Sequence, residues 1–276
     1  MSRIAARFAA LKAEGRGALI PFLAAWDPDS NTSMELLRGL PAAGADLIEI
    51  GCPFTDPMAD GPTVQLASIR ALKAGASMAH TLAMVREFRR EDDTTPIILM
   101  GYLNPIDSYG IERFTTDAAA SGVDGLIVVD LPSEEADLLL PYATARGLDV
   151  IRLVAPTTDT DRLPLVLDGS SGFVYYVSIT GVTGKTTASA AQLAEAIPKI
   201  RQATNLPIAI GFGVRTPAQA AEAARQADAA VVGSALLDTL TSTLDEHGRA
   251  TNTTVRSVLD HVRTLADAVR TARASV

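Results

Sequence analysis

Two acidic side chains, Glu49 and Asp60, are the first candidates for chemistry in this sequence. Glu49 lies inside the apolar run ADLIEIGCPF, where a two-residue strand period puts it on the same face as Leu47 and Ala45. Burying a carboxylate there is costly unless it is paired or used, so a catalytic role competes with a structural ion pair to a neighbouring strand. Asp60 belongs to the following loop, CPFTDPMADGP. A strand-end Glu and a loop Asp can face each other across a small ligand, as an acid and base pair requires.

Either loop aspartate alone, Asp56 or Asp60, is also explained by turn chemistry, because Asp beside Pro or Gly is typical of turns. It is the combination of Asp60 with Glu49 that favours catalysis.

Two glycine-bearing turns near the C-terminus form a candidate anion site. They read IGFGVRTP and VVGSALL, and their glycines Gly211, Gly213 and Gly233 allow backbone N–H groups to approach an anion. Ser234 is placed to cap a short helix whose N-terminus favours negative charge. Tight turn geometry alone is the alternative reading. We predict a phosphate site formed by both turns.

The segment SITGVTGKTTAS is interpreted as a mobile loop over the site, because it has small residues and no apolar stripe. Its Gly-Lys-Thr ending resembles a P-loop, but Ile179 stands where the first glycine is needed, so an ATP site is rejected. Lys185 lacks the burial that a Schiff-base lysine needs. Tyr102 and Tyr175 lie near strand ends, where they line a ligand pocket or pack in the core.

Composition limits the classes of partner. The chain has 276 residues, a formal net charge of −8, one cysteine (Cys52) and three histidines without metal-ligand spacing. The acidic balance argues against a nucleic acid or an anionic membrane as the main partner. A lone cysteine fits a reducing compartment, and no apolar stretch is long enough to span a membrane. We therefore expect a cytoplasmic globular protein without a bound metal.

Eight short apolar runs must position these residues, and they alternate with helical stretches, three of which end at Gly44, Gly122 and Gly147. Nearly continuous apolar runs are typical of parallel strands buried on both faces. Eight strand–helix units in a chain of this length predict a (β/α)8 TIM barrel. The alternative, a doubly wound open sheet, often has a glycine-rich first turn, whereas this chain has AAWDPDS there. The predicted strands are Ala18–Leu23, Ala45–Ile50, Pro96–Met100, Asp124–Val129, Leu148–Leu153, Gly172–Val177, Leu206–Gly211 and Ala229–Val232.

The chain is predicted to form a single domain over residues 1–276, because no linker divides it. A short N-terminal helix precedes the barrel, residues 241–254 form a polar loop, and residues 255–273 form an extra C-terminal helix with an apolar stripe. Among the other helical stretches we expect one at Glu134–Arg146. In this fold the functional site lies at the C-terminal ends of the strands.

Five segments together resemble signature segments of the tryptophan synthase alpha subunit family: IEIGCPFTDPMADGP, GYLNPI, DLPSEEA, FVYYVSITGVTG and IGFGVRTPAQA. The resemblance covers roughly residues 15–240. It implies a TIM-barrel lyase that acts in tryptophan biosynthesis and cleaves indole-3-glycerol phosphate to indole and glyceraldehyde 3-phosphate by a retro-aldol type of reaction.

Carried over by motif position, the resemblance gives each site residue a role. Glu49 is the general acid and base at the reacting carbons, and Asp60 stabilises positive charge at the indole nitrogen. Thr183 helps to close the site onto Asp60. The implied phosphate binders are Gly184, Gly213, Gly233 and Ser234. The implied pocket-lining residues are Phe22, Tyr102, Tyr175 and Phe212.

The resemblance also implies a partner, a pyridoxal-phosphate-dependent beta subunit that joins the chain in an alpha2beta2 heterotetramer and receives the indole through a tunnel. The chain itself is expected to carry no cofactor, and the loops with Asp56 and Asn104 are expected to face the partner. Three departures stand out: Trp26 where the family usually has glycine, Cys52 where an aliphatic residue is usual, and the loop Lys185–Ala191. Trp26 is expected to narrow the pocket or alter the partner surface.

Two other functions compete with this reading. Another phosphate-binding enzyme on the same scaffold typically needs a lysine or a different acid at its strand ends, and no predicted strand here contains a lysine. The second alternative is a non-catalytic homologue that binds a phosphorylated ligand or only activates a partner subunit. Retention of both Glu49 and Asp60 argues against it.

Overall fold

A nearly closed ring of parallel strands forms the centre of the molecule. The computed structural model describes residues 2–178, 189–211 and 213–273, and in this part of the chain nine strands pair in the order β5-β4-β3-β2-β1-β9-β8-β7-β6. The strands are β1 (Ala18–Ala24), β2 (Ile48–Gly51), β3 (Ile97–Gly101), β4 (Gly125–Val128), β5 (Asp149–Val150), β6 (Arg152–Val154), β7 (Val174–Val177), β8 (Ile208–Gly211) and β9 (Ala229–Val232).

The two strands at the ends of this order, β5 and β6, are halves of one chain segment separated only by Ile151. The Ile151 amide still donates to the carbonyl of Leu126 on β4, at 2.9 Å. The segment therefore continues through Ile151 and brings the two ends of the sheet together in a nearly closed barrel with eight strand positions. The predicted TIM barrel is confirmed, and the single predicted strand Leu148–Leu153 is split in two.

Helices surround the barrel. They are α1 (Arg3–Ala13), α2 (Ser30–Ala43), α3 (Pro62–Lys73), α4 (Met78–Phe88), α5 (Leu103–Tyr109), α6 (Ile111–Ser121), α7 (Leu140–Ala145), α8 (Leu163–Leu167), α9 (Ala190–Ala203), α10 (Pro217–Gln226), α11 (Ser234–Ser242) and α12 (Thr254–Thr271), with a 3₁₀ helix at Ser133–Leu138. The N-terminal and C-terminal helices are as expected, and the polar loop is shorter because α11 extends to Ser242.

The predicted helix Glu134–Arg146 is wrong as one continuous element. A 3₁₀ helix ends at Leu138, Leu139 has non-helical dihedral angles, and α7 starts afresh at Leu140. Pro141 has no amide hydrogen to donate to the preceding turn, so the helix restarts with this proline in its first turn.

Side chains alternate strictly between the inside of the barrel and the layer beneath the helices. On β1, Ile20 and Phe22 point inward, whereas Leu19 and Leu23 pack beneath the helices. On the second segment Leu47 belongs to the inner cluster and Ile48 to the outer one, so Glu49 faces the barrel interior. The prediction that Glu49 lies on the same strand face as Leu47 is therefore confirmed.

Helix α1 covers the N-terminal end of the barrel. Phe8 packs on Phe173 with ring centroids 5.8 Å apart. Arg16 pairs at 2.9 Å with Asp46, whose side chain is 2% exposed. Asp46 also pairs with Arg7 and accepts the Leu19 amide at 2.9 Å. This closed end leaves the opposite end, where the strands terminate, for a ligand to enter. No helix in residues 2–178, 189–211 and 213–273 is long and apolar enough to cross a membrane.

Candidate active site

Glu49 is a buried carboxyl group inside the barrel, with Phe22 and Ile98 beside it in the strand register. It is 1% exposed, and its Oε2 atom has no hydrogen-bond partner among the described residues. Burial, and secondarily the charge of Asp60, raises the pKa of Glu49 to about 8. At neutral pH this group therefore holds a proton that it can donate.

Asp60 is held in the loop between β2 and α3, close to the start of α3. Its backbone carbonyl accepts from the Gln65 side-chain amide at 2.9 Å. The Tyr102 hydroxyl donates to the Asp60 carboxylate and accepts from the Ala59 amide at 3.0 Å. Burial raises the pKa of Asp60 to about 6, against the lowering effect of the Tyr102 bond. Near neutral pH Asp60 is mostly ionised while Glu49 is mostly protonated.

A small cavity lies beside Asp60 at the C-terminal end of the barrel, and Glu49 is not among the described residues that line it. Of the candidate residues, it is lined by Phe22, Asp60 and Tyr102. Cys52, which stands where the family usually has an aliphatic residue, also lines it, and burial raises the pKa of its thiol to about 12, which leaves it a poor nucleophile. The remaining lining residues are Ala24, Gly51, Val64, Ser68, Met100, Gly101 and Val129.

Sequence reasoning missed those remaining lining residues. The two-residue strand period predicts that Ala24 faces inward with Phe22. A four-residue helical spacing puts Val64 and Ser68 on one face of α3, but no helix was predicted there. The strand period could therefore have identified the lining residues on the strands, whereas the helical spacing gave a weaker indication for those of α3.

Two glycines make room for the aromatic side chains of the site. A Cβ atom on Gly51 would lie 2.5 Å from Cζ of Phe22, and one on Gly211 would lie 2.1 Å from the Tyr175 hydroxyl oxygen. Tyr175 is 3% exposed, and its burial together with the nearby Glu49 charge raises the pKa of its phenol well above the ordinary value. Tyr175 thus remains a protonated phenol beside Glu49.

The two glycine-bearing turns lie at the ends of β8 and β9, as predicted. Gly213 has a φ of +85°, which favours glycine. Gly233 approaches Phe22 so closely that an added Cβ would lie 3.3 Å from Cβ of Phe22. The turn after β9 is therefore next to a wall of the cavity.

The prediction that Ser234 caps this helix is wrong. Gly233 is the capping residue and Ser234 is the first residue of α11, where no side chain caps the helix. The N-terminal turn is thus not occupied by a capping oxygen, which is the arrangement an anion-binding helix end needs.

Three candidate residues, Thr183, Gly184 and Phe212, lie outside the described residues, as does the start of the loop Lys185–Ala191. In the same described part of the chain no group of three or more His, Cys, Asp or Glu side chains is arranged to hold a metal ion. Asn104, expected in a loop, lies in the first turn of α5 instead, where Pro105 is tolerated. Asp130 accepts the Leu103 amide at 2.7 Å and so stabilises the start of that helix.

Trp26 does not line the cavity. Its indole stacks on His80 with ring centroids 4.5 Å apart, and its φ of +68° is a conformation that favours glycine. The structure thus explains why glycine suits this position, and the expected narrowing of the pocket by Trp26 is not observed.

Comparison with known proteins gives one consistent family. The family model described as tryptophan synthase alpha chain matches residues 8–270. A protein named tryptophan synthase alpha chain from Granulibacter bethesdensis is 73% identical, and the match covers 100% of this chain and 99% of that protein. One of the same name from Acidiphilium cryptum is 67% identical, over 98% of each chain. A crystal structure of tryptophan synthase subunit alpha from Legionella pneumophila superposes with a TM-score of 0.88 at 35% identity, covering 98% of both chains. A chain in a Mycobacterium tuberculosis tryptophan synthase structure gives a TM-score of 0.87 at 35% identity over 98% of both chains.

Proposed function

The chain belongs to the tryptophan synthase alpha chain family, and we propose that Glu49 and Asp60 carry out its reaction, the cleavage of indole-3-glycerol phosphate in tryptophan biosynthesis. The observation that carries this assignment is the buried Glu49 carboxyl group, which is 1% exposed and has one oxygen without a hydrogen-bond partner among the described residues. It lies near a second carboxylate, Asp60, which lines a cavity. Such a group is costly to bury, and a non-catalytic homologue has no use for it.

The reaction places three demands on the site. A proton must reach the indole ring carbon that carries the side chain, positive charge on the indole nitrogen must be stabilised, and the adjacent hydroxyl must lose its proton as the carbon–carbon bond breaks. The products are indole and glyceraldehyde 3-phosphate. Two carboxyl groups in opposite protonation states meet these demands.

Glu49 acts first as the acid. With a pKa of about 8 it holds a proton at neutral pH, and it gives this proton to the ring carbon. The resulting carboxylate then takes the proton of the side-chain hydroxyl, the electron pair of the breaking bond returns to the indole ring, and the carbonyl of the aldehyde forms. Glu49 is protonated again at the end, so the proton balance closes over one turnover.

Asp60 serves as the anion opposite the indole N–H. Positive charge develops on that nitrogen only after protonation of the ring, so the carboxylate stabilises the transition state more than the substrate. Tyr102 donates to Asp60 and keeps it ionised and oriented. Phe22 and the other cavity walls hold the flat indole ring.

The phosphate group is assigned to the turns after β8 and β9. Gly213, Gly233 and the start of α11 at Ser234 offer backbone N–H groups and a helix N-terminus for it. Tyr175, which lies near Glu49, is assigned to contact the central part of the bound substrate. On their family motif positions, Gly184 is assigned to phosphate binding, Phe212 to the pocket lining and Thr183 to closure of the site onto Asp60.

We also propose that residues 1–276 act as one domain, in the cytoplasm, without a cofactor of their own. Family membership supports a beta-subunit partner that supplies pyridoxal phosphate and accepts the indole in an alpha2beta2 complex. The loop with Asp56 and the helix with Asn104 follow β2 and β3 at the open end of the barrel, where they are available to that partner.

The direct test is to incubate the purified chain with indole-3-glycerol phosphate and to measure indole, with and without a beta subunit. We expect indole and glyceraldehyde 3-phosphate in equal amounts, and faster release with the beta subunit. Absence of indole in both mixtures contradicts the proposed chemistry.

A further inference from the structure

Three separate segments of the proposed site meet at one side chain of α11, Asp238. The Asp238 Oδ2 atom accepts a hydrogen bond from the guanidinium of Arg215, in the turn after β8. Its Oδ1 atom accepts one from the Thr63 hydroxyl on α3, at 3.2 Å. Asp238 itself follows Ser234 by about one helical turn. A single carboxylate therefore joins α11, the turn after β8 and α3.

Each joined segment carries a different part of the site. Arg215 is in the turn that contains Gly213, and its backbone amide donates to the Gln219 side chain at 2.9 Å, which holds the turn from a second side. Thr63 lies in the first turn of α3, which begins directly after the loop that carries Asp60. The Asp238 carboxylate thus connects the proposed phosphate end with the segment that presents Asp60.

We propose that Asp238 is a positioning residue that sets the spacing between the phosphate end and the Asp60 end of the site. This inference rests on the site proposed above. The substrate is anchored at both ends, by its phosphate and by its indole N–H, so its binding depends on the separation of the two anchors. A ligand that occupies only one end does not sense that separation.

Stability alone does not explain the cluster. The Arg215 and Asp238 side chains are 51% and 43% exposed, and ion pairs with such exposure contribute little to the free energy of unfolding. Removing the Asp238 carboxylate is therefore expected to leave the fold intact. What it removes is the common attachment of the three segments.

The test compares Asp238→Ala with the native chain in three measurements: KM for indole-3-glycerol phosphate, Kd for glycerol 3-phosphate and Kd for indole. We expect KM to rise about three- to tenfold, as for the loss of one aligned contact. Each fragment's Kd should change less than about twofold, because a fragment binds at one end only, and Tm should stay within about 2 °C. Asp260→Ala is the matched control, since Asp260 pairs with Arg263 on the surface of α12 at 59% and 49% exposure.

Two conservative variants separate positioning from charge. Asp238→Asn removes the negative charge but keeps one oxygen that accepts from Arg215, and its amide NH2 can donate to the Thr63 hydroxyl oxygen. A positioning role therefore predicts a KM near the native value. Thr63→Val removes only the hydroxyl group that donates to Asp238, and it is expected to raise KM by a smaller factor than Asp238→Ala. This variant also keeps the test available if Asp238→Ala does not fold.

Three outcomes overturn the inference. They are an Asp238→Ala KM equal to that of Asp260→Ala, a glycerol 3-phosphate affinity that falls as much as that of the substrate, or an Asp238→Asn variant as impaired as the alanine variant. A native chain that does not cleave the substrate contradicts the proposed function instead, and the Kd of the uncleaved indole-3-glycerol phosphate, compared between Asp238→Ala and the native chain, then still reports on the spacing.

Discussion

Glu49 and Asp60 are chemically alike, and their surroundings give them different protonation states. The fully buried Glu49 has its pKa raised to about 8, whereas Asp60, which accepts the Tyr102 hydroxyl bond, has its pKa raised only to about 6. Between these values one carboxyl group is protonated and the other is ionised. This is the state that the proposed mechanism requires before substrate binds.

The pH dependence of kcat/KM follows from these two pKa values. Activity should rise with pH through about 6 as Asp60 ionises and fall through about 8 as Glu49 loses its proton. Because the two groups interact, the apparent pKa values of the two limbs of the pH profile describe the pair and not either residue alone. In Asp60→Asn the negative charge that helps to raise the Glu49 pKa is gone. The alkaline limb of the residual activity should therefore move to lower pH, measured as kcat/KM across the pH range. An alkaline limb that stays in place or moves upward contradicts the assignment.

The residues that sequence predicts well are those whose side chain direction follows from strand parity. Glu49 and Phe22 lie inside the barrel, as a two-residue period requires. The protonation states were not predictable in this way. They depend on the depth of burial and on the Tyr102 hydroxyl, which reaches Asp60 from a different strand end.

Among the elements, the strands agree with the predicted runs because continuous burial leaves a clear apolar pattern. Helices are less predictable where a local backbone effect outweighs periodicity. The region Glu134–Arg146 breaks at Leu139 before Pro141, and the capping role expected of Ser234 belongs to Gly233. Periodicity reports which face of an element is buried but not where its hydrogen bonding stops.

The start of α11 is expected to bind the phosphate of the substrate. Ser234→Asp places a negative charge at this helix N-terminus, where the helix itself tolerates it but a phosphate is repelled. Affinity for glycerol 3-phosphate, measured by calorimetry, should fall about tenfold or more.

Ser77→Asp is the control for Ser234→Asp. It adds the same charge at the exposed capping position of α4, away from the cavity, and should leave that affinity unchanged. Equal affinities in Ser234→Asp and the native chain remove α11 from the phosphate site.

Helix α1 is expected to stabilise the closed end of the barrel mainly through Asp46. Asp46→Ala leaves Arg7, Arg16 and the Leu19 amide without their common acceptor, and the free energy of unfolding should fall by roughly 2–4 kcal/mol. Urea denaturation measures this. Glu14→Ala is the control, because Glu14 pairs with the same Arg16 at the surface and should change stability by less than about 1 kcal/mol. Equal losses of unfolding free energy in Asp46→Ala and Glu14→Ala would contradict the stabilising role of the buried Asp46 carboxylate.

At the scale of the whole molecule, barrel closure brings together residues that are far apart in the chain. In the sheet order β2-β1-β9-β8, strand β1 separates the strand of Glu49 from β8 and β9, the strands that precede the two turns proposed to bind phosphate. Phe22 on β1 lines the cavity and also approaches Gly233. This neighbourhood is predictable from the fold, since the first and last strands of a closed barrel are adjacent. The Arg215–Asp238–Thr63 cluster was not, because it depends on how three outer segments are rotated against one another.

Single-turnover cleavage of indole-3-glycerol phosphate by Glu49→Gln tests the central claim most directly, with substrate binding to the same sample measured by calorimetry. The glutamine amide fits the space of the carboxyl group but cannot deliver or accept the catalytic proton. We predict that the variant binds the substrate with an affinity within a few fold of the native chain and releases no detectable indole. Indole release at the native rate would show that Glu49 does not carry the proton.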